Sequence, residues 1–402
     1  MLATTALRKM LNLAVRIEDL WFDGDTLRVE VQALGKTHRC PHCSFKTQSR
    51  YDGHERDWRH VPLGRWRVVL HGFVARLTCP KHGVVTEEVA WAEHESRFTR
   101  DFEDMVAWVT REMNKTAVVN LLRIAWETVG SIVERVVARH LNEQRLDELY
   151  AIGIDEVSYR KGQKYLTVVM DQLEGRPVWL NEGRSRETLE KFFKALGGAR
   201  TANIKVVSMD MCAPYIAEVR AQAPWAKIAF DPFHVVKLAS EAVHTVRRTE
   251  ARENKGSAEA TVLKGSRWSL LKAPEHQTTK DKAKLAEVEQ LNQRVYRAYL
   301  LKEELRALYK CTPRSAPRHL DAWLAWARRS RLAPFVKLAA TLTKHREGIL
   351  DAIRYGLSNG ALESLNGRIS MLKHRAFGFH SAAALISMVF LCCTNLPIRL
   401  PI

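Results

Sequence analysis

The sequence has little that would direct it to a membrane. The N-terminal segment MLATTALRKMLNL has no long apolar core and no small-residue cleavage site, so we expect no secretory signal. The strongest apolar run, Ala382–Cys393, is too short to span a bilayer, and we predict a buried C-terminal helix there. The seven cysteines suit a reducing compartment, which favours a cytoplasmic protein with no membrane partner.

Acidic residues are in the minority. Asp and Glu number 45 against 63 Lys and Arg, which leaves a net charge of +18 and a pI near 9.7. A surplus of this size favours a polyanionic partner such as nucleic acid, and no strongly amphipathic segment supports the alternative of a basic membrane-surface protein. With 46% hydrophobic and 27% charged residues, the 402 residues indicate an ordinary globular protein, with room for roughly two to four domains.

Two pairs of residues near the N-terminus have the spacing of a zinc site. Cys40 and Cys43 form the first pair, and Cys79 and His82 form the second after 35 intervening residues. Thiolates and an imidazole at this spacing suit one tetrahedral Zn²⁺ ion held by two knuckles. Because protein ligands would fill all four positions, we predict a structural zinc ion rather than a catalytic one.

The next stretch is typical of helices, with Thr99 as the first N-cap. Residues 115–124 and 127–140 have the size of a helix-turn-helix, whose second helix would turn its valines and isoleucine to the core. Any two amphipathic helices would give this pattern, so the prediction also depends on the position between a zinc knuckle and a basic domain. The residues left for DNA contacts are Lys115, Thr128, Ser131, Arg135 and Arg139.

From Leu149 onward the pattern changes to strands. The segments LYAIGIDEVSYRKG, QKYLTVVMDQLEG and RPVWLNEG predict an antiparallel meander, followed by a helix, a strand, a helix and a strand. This order indicates a ribonuclease-H-like fold, in which the first and fourth strands are neighbours. Asp155 in the first strand and Asp210 at the end of the fourth would therefore meet.

Two converging carboxylates suggest phosphodiester chemistry. Such cleavage uses two divalent ions roughly 3.5–4 Å apart, and Mg²⁺ or Mn²⁺ takes carboxylate oxygens as ligands. The third acid should come from a neighbouring helix, and residues 357–380 predict one, entered through a turn at Ser358 and Asn359. That helix presents Glu363 and Asn366 on one face.

A cationic run follows Glu363, as expected for a phosphate track, although a solvated surface helix would show the same pattern. Its candidate DNA contacts are Arg368, Lys373 and Arg375. We interpret Asp231 mainly as the N-cap of a further helix, because Pro232 follows it. Asp231, His234 and Asn366 remain auxiliary candidates for the site.

Four blocks together resemble the bacterial insertion-sequence transposases of the ISL3 group. They are GIDEVSYRKGQKYLTVVMD, VVSMDMCAPYIAEV, FDPFHVVK and SNGALESLNGRISMLKHRAFGF, in that order, and the resemblance covers nearly the whole chain. It implies an Asp-Asp-Glu (DDE) triad on Asp155, Asp210 and Glu363, with two Mg²⁺ or Mn²⁺ ions. It also implies an N-terminal zinc segment, in which His82 stands where many relatives have a fourth Cys.

The resulting fold class is multidomain α+β. We expect a zinc-binding β module at 1–95, a helix-turn-helix at 96–148, and the first part of a ribonuclease-H-like α/β core at 149–243. The resemblance implies a helical insertion at 244–356, and the core would resume at 357–402 with the Glu363 helix and the C-terminal helix. Within the insertion, Trp268 and Trp323 could stack on an unpaired DNA end, but we interpret them as core residues, and some arginines near them as DNA contacts.

The predicted function is that of a bacterial, nucleoid-associated DNA transposase. It would bind terminal inverted repeats and catalyse metal-dependent strand cleavage and strand transfer. Its partners would be the double-stranded DNA of the transposon ends and of the target, and joining two ends requires a homodimer or a higher oligomer. The alternatives are a structure-specific nuclease on the same fold and a zinc and helix-turn-helix regulator. The three acids argue against the regulator.

Overall fold

The computed structural model describes residues 2–12, 14–160, 162, 164–357 and 360–401. Contacts between residues divide it into two compact units, residues 1–142 with 375–402 and residues 143–374. The zinc segment, the predicted helix-turn-helix and the C-terminal helix thus share one unit. The predicted turn at Ser358 and Asn359 lies outside the described residues.

The first unit starts with a helix and a mixed sheet. Its elements are α1 (Leu2–Met10), β1 (Val15–Asp23), β2 (Thr26–Ala33), β3 (His38–Arg39), β4 (Lys46–Thr47), β5 (Asp52–Leu63), β6 (Trp66–Cys79) and β7 (Gly83–Thr86). The main sheet runs β1-β2-β6-β5, with β7 also paired to β6, and only β2 and β6 are parallel. Val29, Leu70 and Trp58 are buried on its inner face and form the core of the sheet.

Three helices follow the sheet, α2 (Arg100–Glu112), α3 (Lys115–Leu122) and α4 (Trp126–His140). Thr99 caps α2 as predicted, because its side chain accepts a hydrogen bond from the Phe102 N–H. The chain bends by 103° between α3 and α4, within the range of about 90–120° for a helix-turn-helix. The predicted core positions of α4 are all buried, namely Val129, Ile132, Val133, Val136 and Val137.

The second unit is built on a five-stranded sheet. Its first elements are β8 (Ala151–Arg160), β9 (Lys164–Asp171), β10 (Arg176–Glu182), α5 (Arg186–Leu196), α6 (Gly198–Thr201), β11 (Val206–Met209), α7 (Ala213–Gln222) and β12 (Lys227–Phe230). The order is β10-β9-β8-β11-β12, with an antiparallel meander and then β11 parallel to both β8 and β12. The strands that carry Asp155 and precede Asp210 are therefore neighbours, as predicted.

The remainder of the second unit is helical. Its helices are α8 (Pro232–Glu253), α9 (Ala258–Gly265), α10 (Arg267–Leu271), α11 (Thr279–Leu291), α12 (Gln293–Ala307), α13 (Ala316–Arg329), α14 (Ala333–Lys344), α15 (Arg346–Tyr355) and α16 (Gly360–Arg375). Residues 244–356 are all described and contain no strand, as expected. Trp323 is buried, and its Nε1 donates to the Leu301 carbonyl, which confirms it as core. The core interpretation of Trp268 is wrong, because this side chain is 65% exposed.

The C-terminal apolar run forms α17 (Ala382–Cys393), which begins at the N-cap Ser381. The helix is largely buried, as predicted, and it packs against α4 and α2 of the first unit. Both α2 and α4 are amphipathic, so their apolar faces need such a cover. Within the described residues no single helix is long and apolar enough to cross a membrane. The bent pair α3 and α4 has the length and composition of a membrane span only when the two helices are taken together.

Candidate functional site

The predicted zinc ligands lie together in the first unit. Ligand atoms of Cys40, Cys43, Cys79 and His82 all lie within 4.8 Å of one another. The Sγ atoms of Cys43 and Cys79 are 3.6 Å apart, and His82 Nδ1 lies 3.6 Å from Cys40 Sγ and 3.5 Å from Cys79 Sγ. Zinc–ligand bonds of about 2.0–2.3 Å in a tetrahedron separate the ligand atoms by roughly 3.5–3.8 Å, so the set fits one zinc ion.

Two local turns supply these ligands. Cys40 and Cys43 lie between β3 and β4, and Cys79 ends β6 just before His82 and β7. The long β5–β6 hairpin returns the chain to the first turn. Burial would raise the pKa of the Cys79 thiol, but backbone N–H groups of Lys81 and His82, together with the His82 ring, lower it to about 6. A thiol that ionises easily is a good metal ligand.

The second unit brings two predicted acids together. Asp155 lies in β8, and Asp210 follows the last residue of β11, the neighbouring parallel strand. Burial raises the pKa of the Asp155 carboxyl, and repulsion from Asp210 raises it further. Hydrogen bonds from the Glu156 N–H at 2.8 Å and from Asn366 at 2.6 Å oppose that increase. Two carboxylates that repel each other form a site that a cation would stabilise.

Helix α16 lies against the strand that carries Asp155. Its buried Leu362 packs on β8 at Gly153, where a Cβ atom would lie only 2.5 Å from Leu362 Cδ1. One turn later, Asn366 donates its Nδ2–H to Asp155 Oδ2. Glu363 is exposed and lies on the same side of the helix, three residues before Asn366. The helix thus delivers one amide to Asp155 and carries one exposed acid on the same side.

Asp231 and His234 form a pair at the start of α8. Asp231 is the N-cap, as predicted, and accepts from the Phe233 N–H at 3.1 Å. Its other oxygen lies 2.7 Å from His234 Nδ1. This hydrogen bond raises the pKa of His234; burial opposes the increase, while Asp210 and Asp155 add to it. Asp231 and the two acids therefore favour the charged form of the imidazole.

A further acid, Glu156, follows Asp155 in β8. Strand alternation predicts that its side chain points to the opposite side of the sheet from Asp155. Burial raises the pKa of Glu156 and repulsion from Asp210 and Asp155 raises it further, while the Tyr215 hydroxyl and Arg184 oppose the increase.

The three predicted acids do not form one tight cluster. A metal site needs at least three ligand atoms of His, Cys, Asp or Glu close to one another. Among the described residues, only the three cysteines and His82 form such a group with all ligand atoms within 4.8 Å of one another. The structure therefore pairs Asp155 with Asp210 and places α16 beside Asp155 through Asn366. The exposed Glu363 carboxylate does not join them at that distance.

Comparisons with known proteins match both parts of the chain. A family model described as a transposase matches residues 152–389, and another, described as the helix-turn-helix domain of transposase family ISL3, matches residues 87–137. The chain belongs to transposase family ISL3. It is 41% identical over 410 residues to the transposase for insertion sequence element IS1557 of Mycobacterium tuberculosis, from two strains, with 93% of this chain and 91% of the relative covered. It is 30% identical over 360 residues to the transposase for insertion sequence element IS1001 of Bordetella parapertussis, with 89% of each covered.

The helix-turn-helix of this transposase exposes part of the predicted DNA-contacting set. Ser131 on α4 is exposed, and Thr128 is half-buried. Lys115 lies with its Nζ 3.2 Å from the centre of the exposed Trp126 ring, and burial lowers the pKa of this lysine. These side chains lie on α3 and on the N-terminal half of α4, the part of a recognition helix that reaches base edges in known complexes.

Two arginines of α4 have another role in the transposase. Arg135 donates twice to the fully buried carboxylate of Glu103 in α2, at 2.9 and 2.7 Å. Arg139 pairs with Glu93, Glu103 and Asp104. Both arginines pair with the same buried carboxylate, so removing either one would weaken the compensation of its charge. Both guanidinium groups are engaged inside the first unit, and their contact with DNA stays a prediction.

The basic run of α16 is likewise partly engaged within the transposase. Arg375 donates to the carbonyls of Arg111 and Thr110, at 2.8 and 3.1 Å, and so caps the C-terminal end of α2. Lys373 donates to the Ser158 carbonyl of β8. Arg368 is half-buried. The sequence pattern placed all three on a phosphate track, which stays a prediction, and Arg375 also has acceptors within the protein.

Proposed function

We propose that this transposase is a DDE enzyme whose second unit is a ribonuclease-H-like catalytic core. The observation that carries the proposal is the pairing of β8 with β11, which brings Asp155 and Asp210 into electrostatic contact beside the helix of Glu363. The antiparallel meander followed by two parallel strands supports the fold assignment. Membership of the transposase family supports DNA as the substrate.

In this proposal Asp155, Asp210 and Glu363 hold two Mg²⁺ or Mn²⁺ ions. The donor set fits hard cations, which prefer carboxylate and amide oxygens. The Oδ1 atom of Asn366 is buried and has no hydrogen-bond partner among the described residues, although its Nδ2 is bound to Asp155. An amide oxygen in that position needs a partner, and a cation or its water would provide one. When bound, the ions would activate the attacking oxygen and stabilise the leaving oxygen.

The surrounding residues orient the acids and the DNA. Asn366 fixes the rotamer of Asp155, which keeps one of its oxygens directed to α16. Asp231 fixes His234 and favours its charged form, so the imidazolium can contact a phosphate oxygen next to the acids. Hydrolysis at the transposon end would release a 3′-hydroxyl, which then attacks a phosphodiester of the target.

The first unit would recognise the ends. The exposed polar side of α4, with Thr128 and Ser131, would enter the major groove, and Lys115 would contact the backbone. One zinc ion at the three cysteines and His82 would stabilise the turn between β3 and β4. Because two ends must be joined, we propose that a homodimer or higher oligomer assembles on DNA.

Conservative substitution of each acid tests the proposal. Asp155→Asn, Asp210→Asn and Glu363→Gln should each abolish cleavage of end DNA with Mg²⁺ or Mn²⁺ and leave end binding intact. Glu253→Gln, an exposed acid at the end of α8, is the matched control and should cleave normally. Unchanged cleavage by any of the three acid variants would overturn the triad.

The same assay separates the alternatives. Cleavage of branched or unrelated DNA without preference for the transposon ends would indicate a structure-specific nuclease. Sequence-specific binding with no cleavage in any divalent metal would indicate a regulator.

A further inference from the structure

A tryptophan lies exposed on the helical part of the second unit. Trp268 on α10 is 65% exposed, whereas Trp323 on α13 is 1% exposed. The guanidinium of Arg267 lies 4.9 Å from the centre of the Trp268 ring. An indole held in solvent next to a cation offers a flat surface on which another ring can stack.

Cationic side chains lie on α10 and on the two helices that pack against it, α8 and α9. Arg248, Lys264 and Arg267 are exposed, and none of them forms an ion pair with a carboxylate in the described part of the chain. Burial lowers the pKa of the nearby His244, and repulsion from Arg247, Arg267 and Arg248 lowers it further. The charged groups that shift this pKa are cations, and Arg267 next to the indole is one of them. Such a cluster of cations favours an anionic ligand.

The fold holds the tryptophan in a defined place. Arg247 of α8 is buried and donates to the Leu263 carbonyl at 2.8 Å, which anchors the end of α9. Ser269, next to Trp268, donates to the buried Asp281 of α11 at 2.9 Å. The exposed ring is thus presented by anchored helices, so little entropy would be lost when it stacks on a ligand.

We propose that the Trp268 patch, defined as Trp268, Arg248, Lys264 and Arg267, binds unpaired nucleotides of a DNA strand. Bases in a duplex cover each other's faces, so an exposed indole can stack only on a base that has left the helix. The three cations then pair with the phosphates on either side of that base. This inference rests on the proposed function, in which DNA strands with free ends pass through the second unit.

Fluorescence anisotropy with two labelled probes tests the proposal. The probes are an oligothymidylate of about 12 nucleotides and a random-sequence duplex of about 20 base pairs. No Mg²⁺ or Mn²⁺ is added, so cleavage plays no part. Trp268→Ala should weaken oligothymidylate binding by about 5- to 150-fold, the loss expected for one stacked base, with little change for the duplex. Trp268→Phe, which keeps a ring, should retain most of the affinity.

Further variants control for indirect effects. Trp225 is also exposed, at 48%, and lies in the same unit, so Trp225→Ala should bind oligothymidylate like the unaltered protein. Arg248→Ala combined with Lys264→Ala should reduce the slope of log affinity against log salt by about 0.7 for each phosphate that the protein no longer neutralises. Thermal unfolding of every variant shows whether the fold is retained. If Trp268→Ala is unstable, the binding of Trp268→Phe to the two probes is compared with that of the unaltered protein instead.

The outcomes are distinct. Selective loss of oligothymidylate binding by a folded Trp268→Ala protein supports the patch. Unchanged binding, or equal losses for both probes, overturns it. The Asp155→Asn variant should bind oligothymidylate normally. A failure of the proposed DDE chemistry would therefore not change the binding result. A failure of the Trp268 patch would not bear on the acid triad.

Discussion

Replacing Gly153 by alanine should displace the helix that carries Glu363. The added Cβ would lie 2.5 Å from Leu362 Cδ1 and 2.8 Å from the amide nitrogen of Gln172. Carbon atoms in ordinary contact are about 3.5–4.0 Å apart, so Leu362 or the whole of α16 must retreat by about 1.0–1.5 Å. Leu362 is fully buried, so its neighbours resist a new rotamer and a shift of α16 is the expected response.

The expected loss is large for cleavage and moderate for stability. Overpacking of this kind costs about 1–3 kcal/mol of folding free energy. A misplacement of about 1 Å in a catalytic group costs about 100-fold in rate. We therefore expect Gly153→Ala to lower the single-turnover rate of end-DNA cleavage by about two orders of magnitude. Binding of end DNA should be unchanged, because the helix-turn-helix belongs to the other unit.

A second substitution makes this test specific. Leu362→Ala removes the atom that the new Cβ would strike, so the double variant Gly153→Ala/Leu362→Ala should recover part of the missing rate. Leu362→Ala alone should cost about 2–5 kcal/mol in stability, which sets the reference for the cycle. If Gly153→Ala cleaved at the unaltered rate, α16 would not depend on this packing, and our account of how Glu363 is positioned would be refuted.

Three further predictions concern the first unit. The purified protein should contain one zinc ion by elemental analysis. His82→Cys should retain the ion, because the site would then have four thiolates, and Cys43→Ser should lose it, because one thiolate is removed. Arg375→Met should lower the free energy of unfolding by about 1.5–3 kcal/mol in denaturant titration, because the carbonyls at the end of α2 lose a charged donor. Burial lowers the pKa of His60 to about 4. Stability should therefore be complete above about pH 6.5, fall by about 1.4 kcal/mol per pH unit down to about pH 4 and then level off, as measured by unfolding at several pH values.

Each of these has a control and a contrary result. Zinc retained by Cys43→Ser would remove that thiol from the ligand set. Arg399 is exposed, so Arg399→Met serves as the control and should leave the free energy of unfolding unchanged. An Arg375→Met protein of unchanged stability that binds DNA weakly would assign Arg375 to the DNA interface. His60→Gln should flatten the pH profile between about pH 4 and 6.5, and a profile equal to that of the unaltered protein would assign the dependence to another group.

Local spacing was enough to predict the zinc cluster. Cys40 and Cys43 share one tight turn, and Cys79 and His82 share another, so each pair is set by a few backbone torsions. Only the return of the second pair to the first depends on the fold, and the β5–β6 hairpin achieves it. The segment RWRVVLHGFVARLTC, which includes β6, is typical of strands in the sequence. The prediction therefore needed a single long-range assumption.

The neighbouring acids also followed from pattern and topology. Alternation placed Asp155 inside a strand, and a compact apolar run placed Asp210 directly after one, so only the order of the strands was needed to bring them together. The position of Glu363 followed from helical periodicity. The hydrogen bond of Asn366 with Asp155 joins residues 211 positions apart, and no local pattern could have indicated which polar residue of α16 makes it.

Sequence patterns do not indicate partners that lie on another element. Periodicity correctly put Arg135 and Arg139 on the side of α4 away from its valines, but it could not indicate their pairing with Glu103 of α2. It could not indicate the acceptors of Arg375 either, because they are carbonyls 264 and 265 positions away. A charge pattern shows that cations share a face and does not show what packs against it.

The most direct test of the central claim is a crystal structure of the transposase with end DNA and Mn²⁺, analysed by the anomalous scattering of manganese. We predict manganese peaks bounded by Asp155, Asp210 and Glu363, with the Asn366 amide oxygen nearby and the scissile phosphate in contact. Peaks elsewhere, or a Glu363 carboxylate still remote from the metal with DNA in place, would contradict the assignment of these three acids.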